Sequence, residues 1–235
     1  MSIKPILFNI EMVWAILDGR KTCTRRVVKT KQKDACGFYV TRYSDGSFAG
    51  VYEYDEDERM FENQLIPPYK PGDILYVRET WHKYTKRVGK GESCHLAEFY
   101  GYKASIANSE DADEPWRPSI HMPKEAARIW LKVTDVRVER LQEITEEQTE
   151  EEGLLFTPPC LHRTGENYCD IDGPCESNTK YCDMSSVELF GKVLWNKTIK
   201  KSDLDRYGWE ANPWVWVIQF ERCAKPEEVE HESKT

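Results

Sequence analysis

Short runs of β-branched and aromatic residues recur along this chain with few helical segments between them, and this order constrains the fold most strongly. Predicted strands that follow one another without crossover helices pair mainly as antiparallel neighbours. The longest such run is residues 129–141, and residues 214–222 form the last. Amphipathic or capped segments predict helices at 9–19, 144–153 and 185–199. The order predicts an α+β fold: a small, mostly antiparallel β-barrel with short helices packed at its ends.

The middle of the chain predicts a hairpin and then a further strand. Residues 36–54 carry aromatic and β-branched runs on both sides of a Ser-Asp-Gly-Ser turn signal. Residues 55–65 are acidic, and we interpret them as a surface connection. Residues 71–81 begin with Pro and Gly and continue as an alternating strand.

Composition indicates a folded protein with one elaborated domain. The chain has 235 residues, of which 40% are hydrophobic and eight are Trp. We expect a single domain over residues 1–223, followed by a charged, disordered tail at 224–235. The mean hydropathy is -0.69, and no apolar run approaches the roughly 20 residues of a membrane helix. The beginning of the chain lacks the apolar stretch of a secretory signal, so we expect a cytoplasmic protein.

Charge is distributed unevenly along the chain. The formal net charge is -8, which argues against indiscriminate nucleic-acid binding. Residues 1–44 nevertheless hold nine Lys or Arg against three acidic residues. A local basic groove therefore remains compatible with the acidic total.

The first candidate site segment is Gly19-Arg20-Lys21-Thr22-Cys23-Thr24-Arg25-Arg26. In an extended conformation, Thr22, Thr24 and Arg26 share one face. A Lys beside a Thr hydroxyl can accept its proton when burial or neighbouring cations disfavour the charged amine. The alternative is a basic loop that binds phosphate.

Two further segments carry candidate binding residues. In the strand ending at residue 81, Trp81 could stack on a base, and Arg78 or Glu79 could contact a base edge or hold Lys21. The alternative is a core Trp with a structural ion pair. Residues 116–123 are bracketed by prolines and present Trp116, Ser119 and His121 as a pocket wall, although a lone His is more often structural.

The acidic helix at 144–153 begins with a capping-box pattern, Thr145 followed by Gln148, and ends at Gly153. Three Glu residues, 150–152, occupy its C-terminal end, where the helix macrodipole disfavours negative charge. A Lys facing one of them would compensate this charge. The alternative is a solvated acidic face.

A cysteine-rich insertion lies at residues 155–183. Cys160, Cys169, Cys175 and Cys182 fall within 23 residues among Gly, Pro and Asp, where tetrahedral zinc is the simplest structural staple. The spacing lacks the CxxC pairs of common zinc modules. Free thiols and an iron–sulfur cluster are the alternatives.

Four segments together resemble the ASCH group of PUA-like domains. They are ILDGRKTCTRR (16–26), PGDILYVRETW (71–81), VTDVRVERLQEITEEQTEEEG (133–153) and WVWVIQFE (214–221). The resemblance is greatest to longer phage or prophage forms, in which WRPSIHMP and YGWEANPWVW (207–216) also recur. It implies a small β-barrel whose cleft faces nucleic acid or a nucleoside, with insertions at about 33–65, 83–127 and 155–183.

The resemblance also implies a reaction. Small bacterial members hydrolyse N4-acetylcytidine with a Lys, a Thr and a Glu, which match Lys21, Thr24 and Glu152 here. Thr24 would attack the acetyl carbonyl, Lys21 would take and return the proton, and Glu152 would orient Lys21. This chemistry needs no cofactor. Substrate or nucleic-acid contacts are expected from Arg20, Arg25, Arg26, Arg78, Glu79, Trp81, Trp116, Ser119 and His121.

Three functional hypotheses follow from these segments. The first is hydrolysis of an acylated or otherwise modified base in RNA, DNA or a free nucleoside. The second is a non-catalytic RNA- or DNA-binding module, in which Arg20–Arg26 contacts phosphate and Trp81 or Trp116 stacks a base. A metal-dependent nuclease is a weaker third hypothesis.

Overall fold

A computed structural model describes residues 2–32, 34–46, 48–105, 115–154 and 184–226. These ranges contain ten strands and five short α-helices. The strands are β1 (Ile3–Leu7), β2 (Cys23–Val27), β3 (Gly37–Arg42), β4 (Phe48–Tyr54), β5 (Met60–Leu65), β6 (Ile74–Arg78), β7 (Trp81–Val88), β8 (His95–Tyr102), β9 (Trp130–Arg140) and β10 (Trp214–Cys223). The helices are α1 (Ile10–Leu17), α2 (Glu146–Glu151), α3 (Ser186–Glu188), α4 (Asn196–Thr198) and α5 (Leu204–Tyr207).

The strands form three sheets. The largest has the order β1-β6-β9-β10-β2, and the others are β3-β4-β5 and the hairpin β7-β8. β1 pairs with β6 in parallel, whereas β6 pairs with β9 in antiparallel orientation, as do the neighbours in the two smaller sheets. The predicted α+β class with mostly antiparallel strands is therefore confirmed. Within the described ranges the sheets are open, and the closed barrel that we expected is not found there.

Two compact units divide the chain. One comprises Met1–Asp18, Tyr69–Asp135 and Gln219–Thr235, and the other comprises Gly19–Pro68 and Val136–Ile218. We call them unit 1 and unit 2.

Unit 1 has an aromatic core. Its buried cluster includes Tyr76, Trp81, Met122 and Trp130, with Tyr100 and Tyr102 packed against it. At the beginning of the unit, Asn9 caps α1 because its side chain accepts a hydrogen bond from the Met12 backbone, as an N-cap residue should. The predicted helix at 9–19 is thereby confirmed, with slightly shorter bounds.

Unit 2 has a separate core of buried apolar side chains. Its members include Leu141, Phe190, Trp195 and Trp209, together with two valines of β10. α2 begins at the predicted capping box, in which Thr145 accepts from the Gln148 backbone and the Gln148 side chain accepts from the Thr145 backbone. Gly153 follows the helix with φ 91°, a conformation that glycine adopts readily.

The interpretation of residues 55–65 as a surface connection is wrong for its second half. Met60–Leu65 forms β5, which pairs with β4 through Val51 and Leu65 and through Tyr52 and Gln64. Leu65 is buried, but most of the strand is exposed. An edge strand with so few buried positions has little hydrophobic alternation, and its sequence therefore resembles a loop.

The single helix predicted over 185–199 is interrupted. The chain forms α3, then a π-helical segment at Leu189–Trp195, and then α4. Gly191 lies within the π-helical segment, where a Cβ atom would come 2.1 Å from ring carbons of Trp209. Of the apolar positions that predicted one regular amphipathic helix, Val187, Phe190 and Ile199 pack into the core of unit 2. Leu194 is exposed instead, because the π-helical segment changes the periodicity along this stretch.

The remaining predictions about topology concern membranes and the tail. None of the helices in the described part of the chain has the length and apolar character that a membrane crossing requires. Most of the predicted tail, residues 227–235, and the cysteine-rich insertion at 155–183 lie outside the described residues.

Candidate functional site

The centre of the candidate site is an ion pair in unit 2 between Lys21 and Glu152. The Nζ atom of Lys21 donates to Glu152 Oε2 at 2.7 Å and to the Glu152 backbone oxygen at 2.8 Å. The Lys21 side chain is 0% exposed and that of Glu152 is 6% exposed. Because the pair is buried, solvent screens the attraction between its two charges only weakly.

Arg25 binds the other oxygen of the same carboxylate. Its Nη1 atom lies 3.3 Å from Glu152 Oε1, and its Nη2 atom donates to Gln148 Oε1 at 2.8 Å. Nη2 also lies 3.4 Å from Glu139 Oε2 on β9. Gln148 and Glu152 are four residues apart and therefore lie on one face of the helical turn. Arg25 thus joins β2 and β9 to α2.

Cationic side chains of the segment before β2 also bind the C-terminal end of α2. Arg20 donates to the Gly153 carbonyl at 2.8 Å, and the Thr22 backbone donates to the Glu151 carbonyl at 2.9 Å. Together with Lys21, these groups satisfy carbonyls that have no partner within a helix. They also compensate the negative charge at the end of the macrodipole. The predicted pairing of a C-terminal Glu with a Lys is therefore present at Glu152.

Thr24 lies inside β2 and is 1% exposed. Strand alternation places Thr24 on the opposite side of β2 from Cys23 and Arg25, whose Sγ and Nη1 atoms are 3.8 Å apart. Lys21 precedes the first residue of β2, so this alternation does not determine which side its amine reaches. The structure therefore brings Lys21 and Glu152 into contact. Thr24, which follows Lys21 by three residues in the sequence, is buried.

Cys23 is a buried thiol that the sequence reasoning did not single out. Burial raises its pKa to about 12, and the charge of Glu152 acts in the same direction, against the opposing charges of Arg25 and Lys21. The thiol is consequently protonated at neutral pH, and a protonated thiol is a poor nucleophile.

Glu79 forms a second buried ion pair, in unit 1. Arg128 donates from Nε to Glu79 Oε1 and from Nη2 to Oε2, both at 2.8 Å, and the Glu79 side chain is 2% exposed. The guanidinium also lies 4.2 Å from the centre of the Tyr102 ring. The sequence left two roles open for Glu79, and this bidentate pair is the structural one. The carboxylate that holds Lys21 is Glu152 and not Glu79.

Trp81 belongs to the core of unit 1. It is 4% exposed, and the Arg117 guanidinium lies 5.3 Å from its ring centre. Its burial favours the core interpretation over base stacking. Trp116 is half-buried and packs against His82, with ring centres 4.5 Å apart.

The other predicted binding residues are dispersed. Ser119 lines a cavity of about 370 Å³ with Asn9, Glu11 and Thr80, and His121 is exposed. Arg78 donates to the Ile120 carbonyl at 3.2 Å. Arg26 is half-buried in unit 2.

The predicted zinc ligands Cys160, Cys169, Cys175 and Cys182 lie outside the described residues. Among the residues that are described, no group of three or more His, Cys, Asp or Glu side chains is arranged to hold a metal ion. Zinc at the four cysteines stays a prediction.

No protein-family model, no curated protein and no solved structure matches this chain. The membership in the ASCH group that the sequence segments imply therefore stays a hypothesis.

Proposed function

We propose that this chain is an ASCH-type, PUA-like protein that hydrolyses an N4-acetylcytidine-type amide in a nucleic acid or nucleoside. The observation that supports the proposal is the 2.7 Å contact between Lys21 Nζ and Glu152 Oε2. The sequence resemblance assigns a catalytic amine and carboxylate to these two positions. A buried contact between residues 131 positions apart is the arrangement that such an assignment requires.

The proposed reaction begins at the ion pair. Transfer of one ammonium proton from Lys21 to Glu152 leaves a neutral amine and a carboxylic acid. The amine takes the proton of the Thr24 hydroxyl while the Thr24 oxygen bonds to the acyl carbon. Lys21 then returns that proton to the exocyclic nitrogen as the C–N bond breaks. Water hydrolyses the acyl ester on Thr24, which regenerates the hydroxyl and releases the carboxylic acid. Glu152 then returns its proton to Lys21, which restores the ion pair.

Arg25 acts as a positioning residue in this scheme. It holds Glu152 Oε1 and Gln148 at the same time, so that Oε2 faces Lys21. A guanidinium suits this task because its planar fork presents several donors in fixed directions.

A non-catalytic RNA- or DNA-binding module is the second candidate function. The complete burial of the Lys21 side chain favours it, because the contacts of Lys21 and Arg20 with the end of α2 are also those of a structural cap. Arg25 is likewise engaged inside unit 2, so phosphate contacts would come from other cations.

Deacetylation of N4-acetylcytidine, as nucleoside and within a short RNA, tests the proposal by chromatography of the products. We expect turnover by the wild type and by Thr24→Ser, and loss of turnover in Thr24→Val, which keeps the volume of the side chain. Lys21→Met should also be inactive, whereas Lys29→Met, at an exposed position, should retain activity.

The two candidate functions predict different results in this experiment. No turnover of either substrate by a folded wild-type protein, or equal turnover by Thr24→Val and the wild type, would overturn the hydrolase. Binding of RNA without turnover would favour the second candidate.

A further inference from the structure

Three rings of the β7–β8 hairpin and the ring of Trp116 form a continuous ladder in unit 1. The ring centres of Trp116 and His82 are 4.5 Å apart, those of His82 and Tyr84 are 5.4 Å apart, and those of Tyr84 and Phe99 are 5.7 Å apart. The interplanar angles are 40°, 32° and 27°, so the rings become more nearly parallel toward Phe99.

Strand register places this ladder on one face of the hairpin. His82 pairs with Gly101 and Tyr84 pairs with Phe99, and directly opposed residues of an antiparallel pair share a face. Gly101 is required here, because a Cβ atom at this position would lie 1.9 Å from the His82 Nε2 atom. The imidazole therefore lies against the backbone of β8, where it is held between the Trp116 and Tyr84 rings.

The ladder opens to solvent at both ends. Phe99 is 36% exposed, and Tyr84 and Trp116 are half-buried, whereas His82 between them is 5% exposed. The His82 Nδ1 atom is buried and has no hydrogen-bond partner among the described residues. Ring contacts hold this side chain in place, and they leave an aromatic surface available to a ligand.

The hairpin is basic within an acidic chain. The hairpin, residues 81–102, contains four Lys or Arg and two Glu, whereas the whole chain carries a net charge of -8. Lys86 lies on the ladder face by alternation with Tyr84, and it is exposed. On the opposite face, Lys83 pairs with Glu98 at 2.7 Å. The ladder face therefore combines aromatic rings with a cation.

We propose that the ladder face of the β7–β8 hairpin binds single-stranded RNA. Bases of a single strand can stack on aromatic rings, whereas bases in a duplex are already stacked on one another. Lys86 would contact a phosphate beside the stacked bases. Unpaired, splayed bases are the usual target of proteins that recognise RNA, which favours RNA over DNA as the single strand. This binding does not depend on hydrolysis at Lys21, Thr24 and Glu152.

Fluorescence anisotropy with a labelled, unpaired 12-nucleotide RNA tests the proposal on the full chain. We expect Phe99→Leu, which keeps an apolar side chain but removes the ring, to weaken binding about tenfold. Lys86→Gln should weaken binding and reduce the slope of log affinity against log salt by about 0.7. The same RNA annealed to its complement should bind at least about tenfold more weakly.

Two variants on the opposite face are matched controls. Tyr100→Leu removes a ring and Arg87→Gln removes a charge there, and both should leave RNA affinity unchanged. Thermal melting of each variant checks that it folds. Equal losses on the two faces, no affinity of the wild type for the RNA, or tighter binding to the duplex or to DNA of the same sequence would overturn the proposal. Because the measurement is of binding alone, failure of deacetylation does not affect it.

Discussion

Arg25 and Glu152 form a buried ion pair in which Nη1 lies 3.3 Å from Oε1 and the side chains are 1% and 6% exposed. The pair connects β2 to the end of a helix only six residues long. So short a helix is unstable alone, and its stability must come from contacts such as this one.

Replacement of Arg25 by Met should lower the free energy of unfolding by about 3 kcal/mol. The substitution keeps much of the side-chain volume but removes a buried partner of Glu152 and the donor to Gln148. Urea denaturation measures the effect. Lys29→Met, at an exposed position, is the control and should change stability by less than about 0.5 kcal/mol. Equal effects of the two substitutions would show that Arg25 does not stabilise α2.

Acid should destabilise the protein partly through Asp73. Burial raises the pKa of this carboxyl, but hydrogen bonds from Lys4, Ser2 and the Lys70 backbone outweigh it and hold the pKa well below its usual value of 3.8. The stabilisation is therefore complete above about pH 4 and is lost as pH falls through the lower, folded-state pKa. Asp73→Asn should cost about 2 kcal/mol at pH 7 and progressively less below pH 4. A constant difference between wild type and variant from pH 7 to pH 2 would contradict this assignment.

Cys23 should resist alkylation in the folded protein. Burial raises its pKa to about 12, above the ordinary value of 9.0, so the reactive thiolate is scarce at pH 8. Cys36 and Cys94 are exposed and should react first with iodoacetamide, as peptide mass mapping would show. Because the pKa of Cys23 is higher in the folded state than in the unfolded state, its protonated thiol contributes fully to stability below about pH 9. This contribution is lost as the pH rises from 9 toward 12. If Cys23 were labelled as fast as Cys36 in the absence of denaturant, the assignment of Cys23 as a buried thiol would be wrong.

Gly191→Ala should destabilise unit 2 by about 1–3 kcal/mol. The new Cβ atom would lie 2.1 Å from ring carbons of Trp209, which is itself a buried core residue and has little room to move. Thermal unfolding followed by tryptophan fluorescence measures the change. Gly46→Asn is a suitable comparison, since the space beside Gly46 is open and Asn tolerates its positive φ of 83°. A melting temperature of Gly191→Ala equal to that of the wild type would contradict the close contact.

The four cysteines at 160, 169, 175 and 182 should hold about one zinc ion per chain, as elemental analysis of purified protein would determine. A chelator should then lower the melting temperature, and Cys160→Ser or Cys175→Ser should lose the metal. Cys36→Ser should retain it. Iron with visible absorbance would indicate a cluster instead, and four additional titratable thiols in a metal-free protein would indicate free cysteines.

Local signals in the sequence predicted several elements accurately. The capping box at Thr145 and Gln148 and the stop at Gly153 depend on residues within one helix, and the structure contains both. The misplaced charge at the end of that helix predicted a cationic partner, and Lys21 is one. These features were predictable because their physical cause lies in a few neighbouring residues.

Elements that depend on contacts with residues far away in the sequence were not predictable in the same way. β5 depends on pairing with β4, and the π-helical segment contains a glycine that packs against Trp209, 18 residues later. No local pattern indicated that Arg25 would join Gln148, Glu139 and Glu152. Its assignment to nucleic-acid contact came from charge alone, and charge does not reveal which partner a guanidinium will reach.

The long separation between β2 and α2 has a consequence during protein synthesis. Lys21 and Arg25 leave the ribosome well over a hundred residues before Glu152, their common counter-charge, has been translated. Until then the nascent chain presents a cationic stretch that lacks this carboxylate and the end of α2. The catalytic arrangement proposed above can therefore assemble only after Glu152 has emerged, 131 residues after Lys21.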